Sequence, residues 1–148
     1  MEAVIFVGIQ ATGKSEFYRQ RFFGSHVRIS LDMLRTRNRE RLLLAACLES
    51  GQPFVVDNTN PSAQDRARYV SAATDAGFRV VGYYFRSSIH EAIERNRRRS
   101  GAERVPDKGV LGTYARLELP SRDEGFDELY FVAIHDDGFV VEDYDENL

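Results

Sequence analysis

Cysteine occurs once in this 148-residue chain and lysine twice. No apolar run approaches the roughly eighteen residues needed to cross a bilayer. Each scarcity excludes something. Cys47, set in the run Leu42-Leu43-Leu44-Ala45-Ala46-Cys47-Leu48, has no partner for an internal disulfide and reads as a small core residue. His26, His90 and His135 stand isolated, and no Cys/His/Asp grouping has metal-ligand spacing, so no zinc-type centre is expected. Met1 leads into Glu2 and a short apolar stretch with neither a basic region nor a small-residue cleavage site. No signal peptide is expected, no membrane association, and a reducing cytoplasm fits. Repeats, low-complexity tracts and linkers are absent as well, and the length suits one domain, 1–148, that buries its core without disulfides.

The shortage of lysine is a preference for arginine, which supplies 18 of the 20 basic residues and leaves only Lys14 and Lys108. A planar guanidinium grips phosphate with two parallel hydrogen bonds, so this bias leans toward phosphate-bearing ligands, the alternative being a solvated arginine-rich surface. The net charge of −3 divides unevenly: residues 1–117 hold 19 basic and 12 acidic side chains, or +7, and residues 118–148 hold 1 and 11, or −10. A nucleic-acid partner stays open, because binding depends on a local basic face rather than on the sum.

Short apolar runs alternate with longer amphipathic segments, the pattern of an α/β fold with a mostly parallel sheet. Ala3-Val4-Ile5-Phe6-Val7 predicts a strand buried on both faces. A helix is expected from residue 14 to about 22, stopped by Gly24, and a brief strand over 27–30. A helical region then starts near Leu31 and is clearest over 39–49, before a strand at 54–57. Asn60 reads as the N-cap of a helix over 62–76, with Pro61 at its first position. A strand at 79–85, helices at 89–99 and about 108–117, and a hairpin turning on Asp136-Asp137-Gly138 complete the pattern.

Gly8-Ile9-Gln10-Ala11-Thr12-Gly13-Lys14-Ser15 matches G-x-x-x-x-G-K-[ST] at every fixed position, directly after a buried strand and at the start of a helix. The two glycines let the backbone curl so that successive N–H groups converge on phosphate oxygens, and the helix points its positive end at the same place. Gly8, Gln10, Ala11, Thr12, Gly13, Lys14 and Ser15 are therefore the expected nucleotide-binding residues. Lys14 is to reach the β- and γ-phosphates and Ser15 to complete a Mg²⁺ shell. ATP and Mg²⁺ are the expected cofactors, on a three-layer P-loop NTPase fold. A phosphate loop by itself specifies only nucleoside triphosphate binding.

Two more strand ends reach the same edge of a parallel sheet, where ligands bind. Ser30-Leu31-Asp32-Met33-Leu34-Arg35 follows the second strand. Asp32 can accept a proton from an attacking hydroxyl and Arg35 can hold an anionic part of the acceptor; equally, Ser30 or Asp32 can simply cap a helix. Asp57 ends the third strand, where it can orient Mg²⁺ through water or brace the loop serine, and Asn58 and Asn60 can fix loops or an acceptor sugar. Arg95-Asn96-Arg97-Arg98-Arg99 closes a helix and enters the polar segment up to Lys108. Either this is a solvated helix end, or residues 95–108 form a lid that brings Arg95 and Arg99, on one face at i, i+4, to the nucleotide. Arg66-Ala67-Arg68-Tyr69 reads as a surface stripe.

Taken in order, GxxxxGKS at 8–15, S-x-D-x-x-R at 30–35, DNTNP at 57–61 with Asp65-Arg66-Ala67-Arg68-Tyr69, Arg95-Asn96-x-x-Arg99, Val105-Pro106 and Pro120 with Glu124-Gly125-Phe126 resemble the kinase domain of polynucleotide 5′-hydroxyl kinases. The resemblance covers most of residues 2–132. It implies a kinase-like fold with an arginine-bearing lid and transfer of the ATP γ-phosphate to a DNA or RNA 5′-hydroxyl. It makes Asp32 the general base, Arg35 the contact to the acceptor's neighbouring phosphate, and Arg99 the lid arginine on the transferred group, with Lys14 and Ser15 as above. No aspartate-based phosphatase motif accompanies these residues, so the implied end-healing activity is kinase only. Related small kinases phosphorylate sugars, antibiotics and other small hydroxyl compounds with similar loops, which leaves a small-molecule acceptor, or plain nucleotide binding, as the alternatives.

Overall fold

A computed structural model describes residues 1–136 and 138–147. Asp137, central to the expected hairpin turn, lies outside the described residues. Six strands form one sheet: β1 (Glu2–Val7), β2 (Val27–Ile29), β3 (Phe54–Val56), β4 (Arg79–Phe85), β5 (Glu128–His135) and β6 (Gly138–Asp143). They lie in the order β2-β3-β1-β4-β5-β6. Neighbours are parallel from β2 through β5, and β6 returns antiparallel to β5, as the hairpin pattern predicts.

The central strand shows why the sequence folds this way. Ala3 through Val7 have no exposed surface, and their side chains alternate between two cores. Ala3, Ile5 and Val7 face a cluster with Cys47 of α3 (Arg37–Ser50) and Tyr69, Val70 and Ala73 of α4 (Ala63–Asp75). Val4 and Phe6 face Phe17 and Tyr18 of α1 (Lys14–Arg21), together with Phe22. Phe6 meets the rings of Phe17, Phe22, Tyr83 and Phe85 at centroid separations of 4.9–6.0 Å, edge-on or tilted, so α1 is clamped to the sheet directly behind the phosphate loop. A third, smaller cluster joins Ile9 of that loop to Ala92 of α5 (Ile89–Arg97) and Val110 of α6 (Asp107–Arg116). These helices on both faces of the sheet give the expected three layers. Among the described residues no helix is long and apolar enough to cross a membrane.

Several boundaries differ from the sequence reading. The helical region after β2 splits into α2 (Leu31–Leu34) and α3, because Arg35 takes φ 76°, a left-handed value no helix accommodates, and Thr36 then caps α3 by accepting from the Arg39 N–H. Ser62, not Asn60, caps α4, accepting from the Asp65 N–H at 3.1 Å. The helix expected to run to Arg99 ends at Arg97, so Arg95 and Arg99 do not share a helical face.

The residues read as a surface stripe on α4 are in part the most deeply buried in the protein. Arg66 and Tyr69 are 0% and 1% exposed. Arg66 pairs both Nε and an Nη with the carboxylate of Glu124, at 2.8 and 2.9 Å, and its other Nη donates to the carbonyls of Asn60, Pro61 and Glu118. A charged side chain can sit there because every donor direction facing the interior meets an oxygen.

Candidate active site

β1 delivers the chain into the phosphate loop, whose shape several bonds enforce. Ala11 and Gly13 adopt φ 62° and 94°, the left-handed turns that curl the backbone inward. At Gly13 the freedom is steric as well, since a Cβ would lie 2.7 Å from the Phe139 ring. The Gly8 N–H donates to the Thr59 carbonyl, and a Cβ on Gly8 would crowd Phe85 at 3.0 Å. The Thr12 hydroxyl donates to the Ile9 carbonyl at 2.8 Å, the Ile9 N–H donates to Ser87, and Gln10 donates to Thr113 of α6. Among the described residues no side chain caps the N-terminus of α1, so its first N–H groups are open to a ligand.

This loop borders a cleft of about 490 Å³. Lys14 lines it, and its ammonium donates to the Ile9 carbonyl at 2.7 Å. Burial pulls the Lys14 ammonium down to about 8, with the Arg99 charge adding to the fall and the Asp57 and Asp32 charges opposing it. Ser15 donates to Asp57 at 3.0 Å, and Arg28 bonds both, through Nε to the Asp57 carboxylate at 2.8 Å and through an Nη to the Ser15 hydroxyl at 3.1 Å. Arg28 is a site residue the sequence reading missed: its charge partner lies 29 residues away, just past the end of the neighbouring strand, and only the β2–β3 pairing brings the two together.

Asp32, Arg35 and Arg99 all line the same cleft. Among the described residues no side chain bonds the Asp32 carboxylate, and neither Arg35 nor Arg99 has an acidic partner. Arg99 makes one long bond, to the Glu103 carbonyl at 3.4 Å. The left-handed turn at Arg35 holds a bulky residue in a strained conformation at the cleft wall.

Three expected contacts are placed elsewhere. Arg95 does not line the cleft; it pairs with Glu91 one turn back at 3.7 Å, the partner its helical spacing offers. Asn60 is 4% exposed, does not line the cleft, and donates to the Phe6 carbonyl at 2.8 Å, so it ties the loop after β3 to β1. Asn58 does border the cleft, but its amide is fully engaged. Its oxygen accepts from the Leu31 N–H at 2.9 Å, and its NH₂ donates to Glu40 and to the Tyr69 hydroxyl. Asn58 thus fixes the start of α2, the helix that carries Asp32. Asn96, to which the sequence reading gave no role of its own, is completely buried and clamps the backbone of Val105 through both ends of its amide, fixing the chain that carries Arg99.

The donors suit a nucleoside triphosphate with Mg²⁺. Curled backbone and an uncapped helix start lie beside the ammonium of Lys14, the first residue of that helix, and Ser15 and Asp57 are oxygens of the kind that would hold Mg²⁺ beside phosphate oxygens. Residues 4–120 match the family model described as AAA domain. The chain belongs to the AAA domain family. Its α/β fold, with the phosphate loop between β1 and α1, matches solved structures. Kti12 from Chaetomium thermophilum, solved in complex with ADP-AlF3, is 19% identical and superimposes with a TM-score of 0.72 over 91% of this chain and 90% of that one. A gluconokinase from Sinorhizobium meliloti 1021 is also 19% identical, with a TM-score of 0.63 over 88% of this chain and 81% of its own. In sequence, the chain is 24% identical over 142 residues to a bifunctional polynucleotide phosphatase/kinase of Schizosaccharomyces pombe. The match covers 91% of this chain and spans about a third, 35%, of that relative's length.

The depressed Lys14 ammonium has a measurable consequence. Phosphate charge raises the pKa of a lysine it pairs with, so nucleotide binding draws a proton onto Lys14 wherever the free domain has lost it. Calorimetry of ATP binding in buffers of different ionisation enthalpy is expected to show proton uptake at pH 8.5–9 and almost none from this group below about pH 7. Affinity then falls as pH rises through about 8. A Lys14→Met variant is expected to lose the uptake; uptake that survives the substitution assigns the proton to another group.

Proposed function

We propose that the domain is an ATP-dependent phosphotransferase that moves the ATP γ-phosphate to a hydroxyl, and that its acceptor is the 5′-hydroxyl end of a DNA or RNA strand. The observation that carries this reading is that one cleft joins the phosphate loop to a carboxylate, Asp32, and two guanidiniums, Arg35 and Arg99, that have no charged partner among the described residues. A switch that only binds and releases nucleotide has no use for a base at that position.

In this reading Asp32 accepts the proton of the acceptor hydroxyl as its oxygen bonds to the γ-phosphorus and the bond to the ADP leaving oxygen breaks. Lys14 and the loop N–H groups hold the phosphates. Ser15, and Asp57 through water, would hold Mg²⁺, which supplies charge neutralisation when bound. Residues 95–108 act as a lid, from which Arg99 stabilises charge on the transferred group and helps exclude water. Arg35 holds the phosphate next to the acceptor sugar, a role with value only for an anionic acceptor. The name of the fission yeast relative supports a polynucleotide acceptor.

The test is incubation with γ-labelled ATP, Mg²⁺ and a panel of acceptors: oligonucleotides with 5′-hydroxyl or 5′-phosphate ends, nucleosides, and small polyols and sugar acids. Label is expected on the 5′-hydroxyl oligonucleotides alone. Label on a small compound, with none on any DNA or RNA, replaces the acceptor and keeps the chemistry. ATP binding without transfer to any member of the panel removes both.

A further inference from the structure

A second concave surface lies behind the active-site wall, between the first turns of α3 and the middle of α4. It is lined by Arg37, Glu40, Arg41, Leu44, Arg68 and Tyr69. Its one acid is spent internally: the Glu40 carboxylate accepts from Arg37 at 3.0 Å, from the Tyr69 hydroxyl at 2.8 Å and from Asn58 at 3.0 Å. Burial, and then the bond to Glu40, push the Tyr69 phenol up to about 12, so it stays a donor. Arg41 bonds only the neutral Asn38, and the Arg68 guanidinium rests 6.0 Å from the Tyr69 ring. Both arginines are exposed, and among the described residues neither has a carboxylate within salt-bridge distance. The groove therefore presents uncompensated positive charge over an apolar floor.

Its position gives that charge a meaning. Asn58 borders the active-site cleft on one side and bonds Glu40 and Tyr69, which line the groove, on the other. Asn58, with the Glu40 and Tyr69 side chains it bonds, therefore links the linings of the two sites. Arg35 lines the cleft, and Arg37 lies two residues further along the chain on the rim of the groove. We infer that the groove is a second phosphate-binding subsite, which receives the phosphodiester backbone of a single-stranded polynucleotide as it leaves the Arg35 contact. This rests on the polynucleotide reading above and extends it, since a small-molecule acceptor ends before the groove begins. Guanidiniums reading only backbone phosphate carry no base information, so the subsite favours longer strands without choosing sequence.

Equilibrium binding tests this without any transfer step. Fluorescence anisotropy is read with 3′-labelled, 5′-phosphorylated oligothymidylates of two, four and eight nucleotides, with matching oligouridylates, and with an acidic peptide of similar charge. Wild-type affinity is expected to rise with length from two to eight nucleotides. In an Arg41→Ala/Arg68→Ala variant that rise is expected to shrink about fivefold or more, and the slope of log affinity against log salt to drop by about 1.4, two single-strand phosphate contacts. Thermal melting of the variant confirms that these exposed changes leave it folded. An unchanged length dependence and salt slope in the double variant overturns the inference. So does an acidic peptide that binds as tightly as the eight-nucleotide strand and is lost in the same variant, which makes the occupant a protein. Oligothymidylate and oligouridylate arms that both respond define the ligand as the shared phosphodiester, and one that responds alone defines DNA or RNA. Strands held through Arg41 and Arg68 without label transfer leave the groove standing and the kinase reading fallen; labelled short acceptors without any gain from length do the reverse.

Discussion

Replacing Asp32 by asparagine is expected to lower kcat for phosphoryl transfer by about 10²–10⁴-fold, the usual contribution of a positioned general base, and to leave ATP affinity within about a factor of three. The geometry separates the two effects. Asp32 lines the cleft that the phosphate loop borders, and none of the loop's own bonds passes through it. It is held from behind: the Leu31 N–H donates to Asn58, which Glu40 and Tyr69 anchor in turn. Asparagine keeps the shape and loses the capacity to take a proton. Single-turnover labelling measures the chemical step and equilibrium titration the affinity. Near-normal turnover in the asparagine variant removes Asp32 from the chemistry.

Stability is expected to respond most to Arg66→Ala. Five bonds from one fully buried guanidinium join α4 to the segment from Glu118 to Glu124 and to the loop that follows β3. Removing it strands the Glu124 carboxylate, whose side chain is only 16% exposed, and leaves three carbonyls short of a donor. Breaking a buried ion pair from one side costs about 3–5 kcal/mol, on the order of 10 °C in melting temperature for a domain of this size. Denaturant titration gives the number directly; a loss below about 1 kcal/mol shows that water or rearrangement replaces the guanidinium. Arg66→Met with Glu124→Leu is expected to recover much of the loss, because no charge is then left buried alone.

What the sequence made legible follows from the range of the interactions. The phosphate loop, the strand before it and the hairpin at the end depend on residues a few positions apart, so spacing alone reveals them. Asp32 and Arg35 could be placed at the cleft because strand ends in a parallel sheet share one edge. The errors arose where the deciding partner is distant in the chain. Arg66 on a helix reads as solvated until Glu124, 58 residues on, is seen to meet it. Arg28 carries no local signal, and its role is set by Asp57, just past the end of the adjacent strand. Asn58 and Asn60 invite a ligand role as free polar side chains after a strand, yet Asn58 is bonded at both ends of its amide and Asn60 is buried against the Phe6 carbonyl away from the cleft. The shared face of Arg95 and Arg99 fails for a local reason: the helix was drawn two residues too long, and only Arg99 lines the cleft. The conspicuous Glu124-Gly125-Phe126 run is part of the frame, for Glu124 grips Arg66 and the Phe126 ring lies where a Cβ on Gly82 would come within 2.7 Å.

One cleft is held to seat donor and acceptor side by side, and a ligand that spans both measures this most directly. Titration with a bisubstrate compound, in which the polyphosphate of ATP is joined to the 5′-oxygen of a nucleoside 3′-phosphate, is expected to give an affinity at least tenfold above that of ATP, since the second half binds at high effective concentration. Competition is expected against ATP and against a 5′-hydroxyl acceptor alike, with the gain lost in Arg35→Ala. A compound that binds no more tightly than ATP and displaces only ATP would contradict the account.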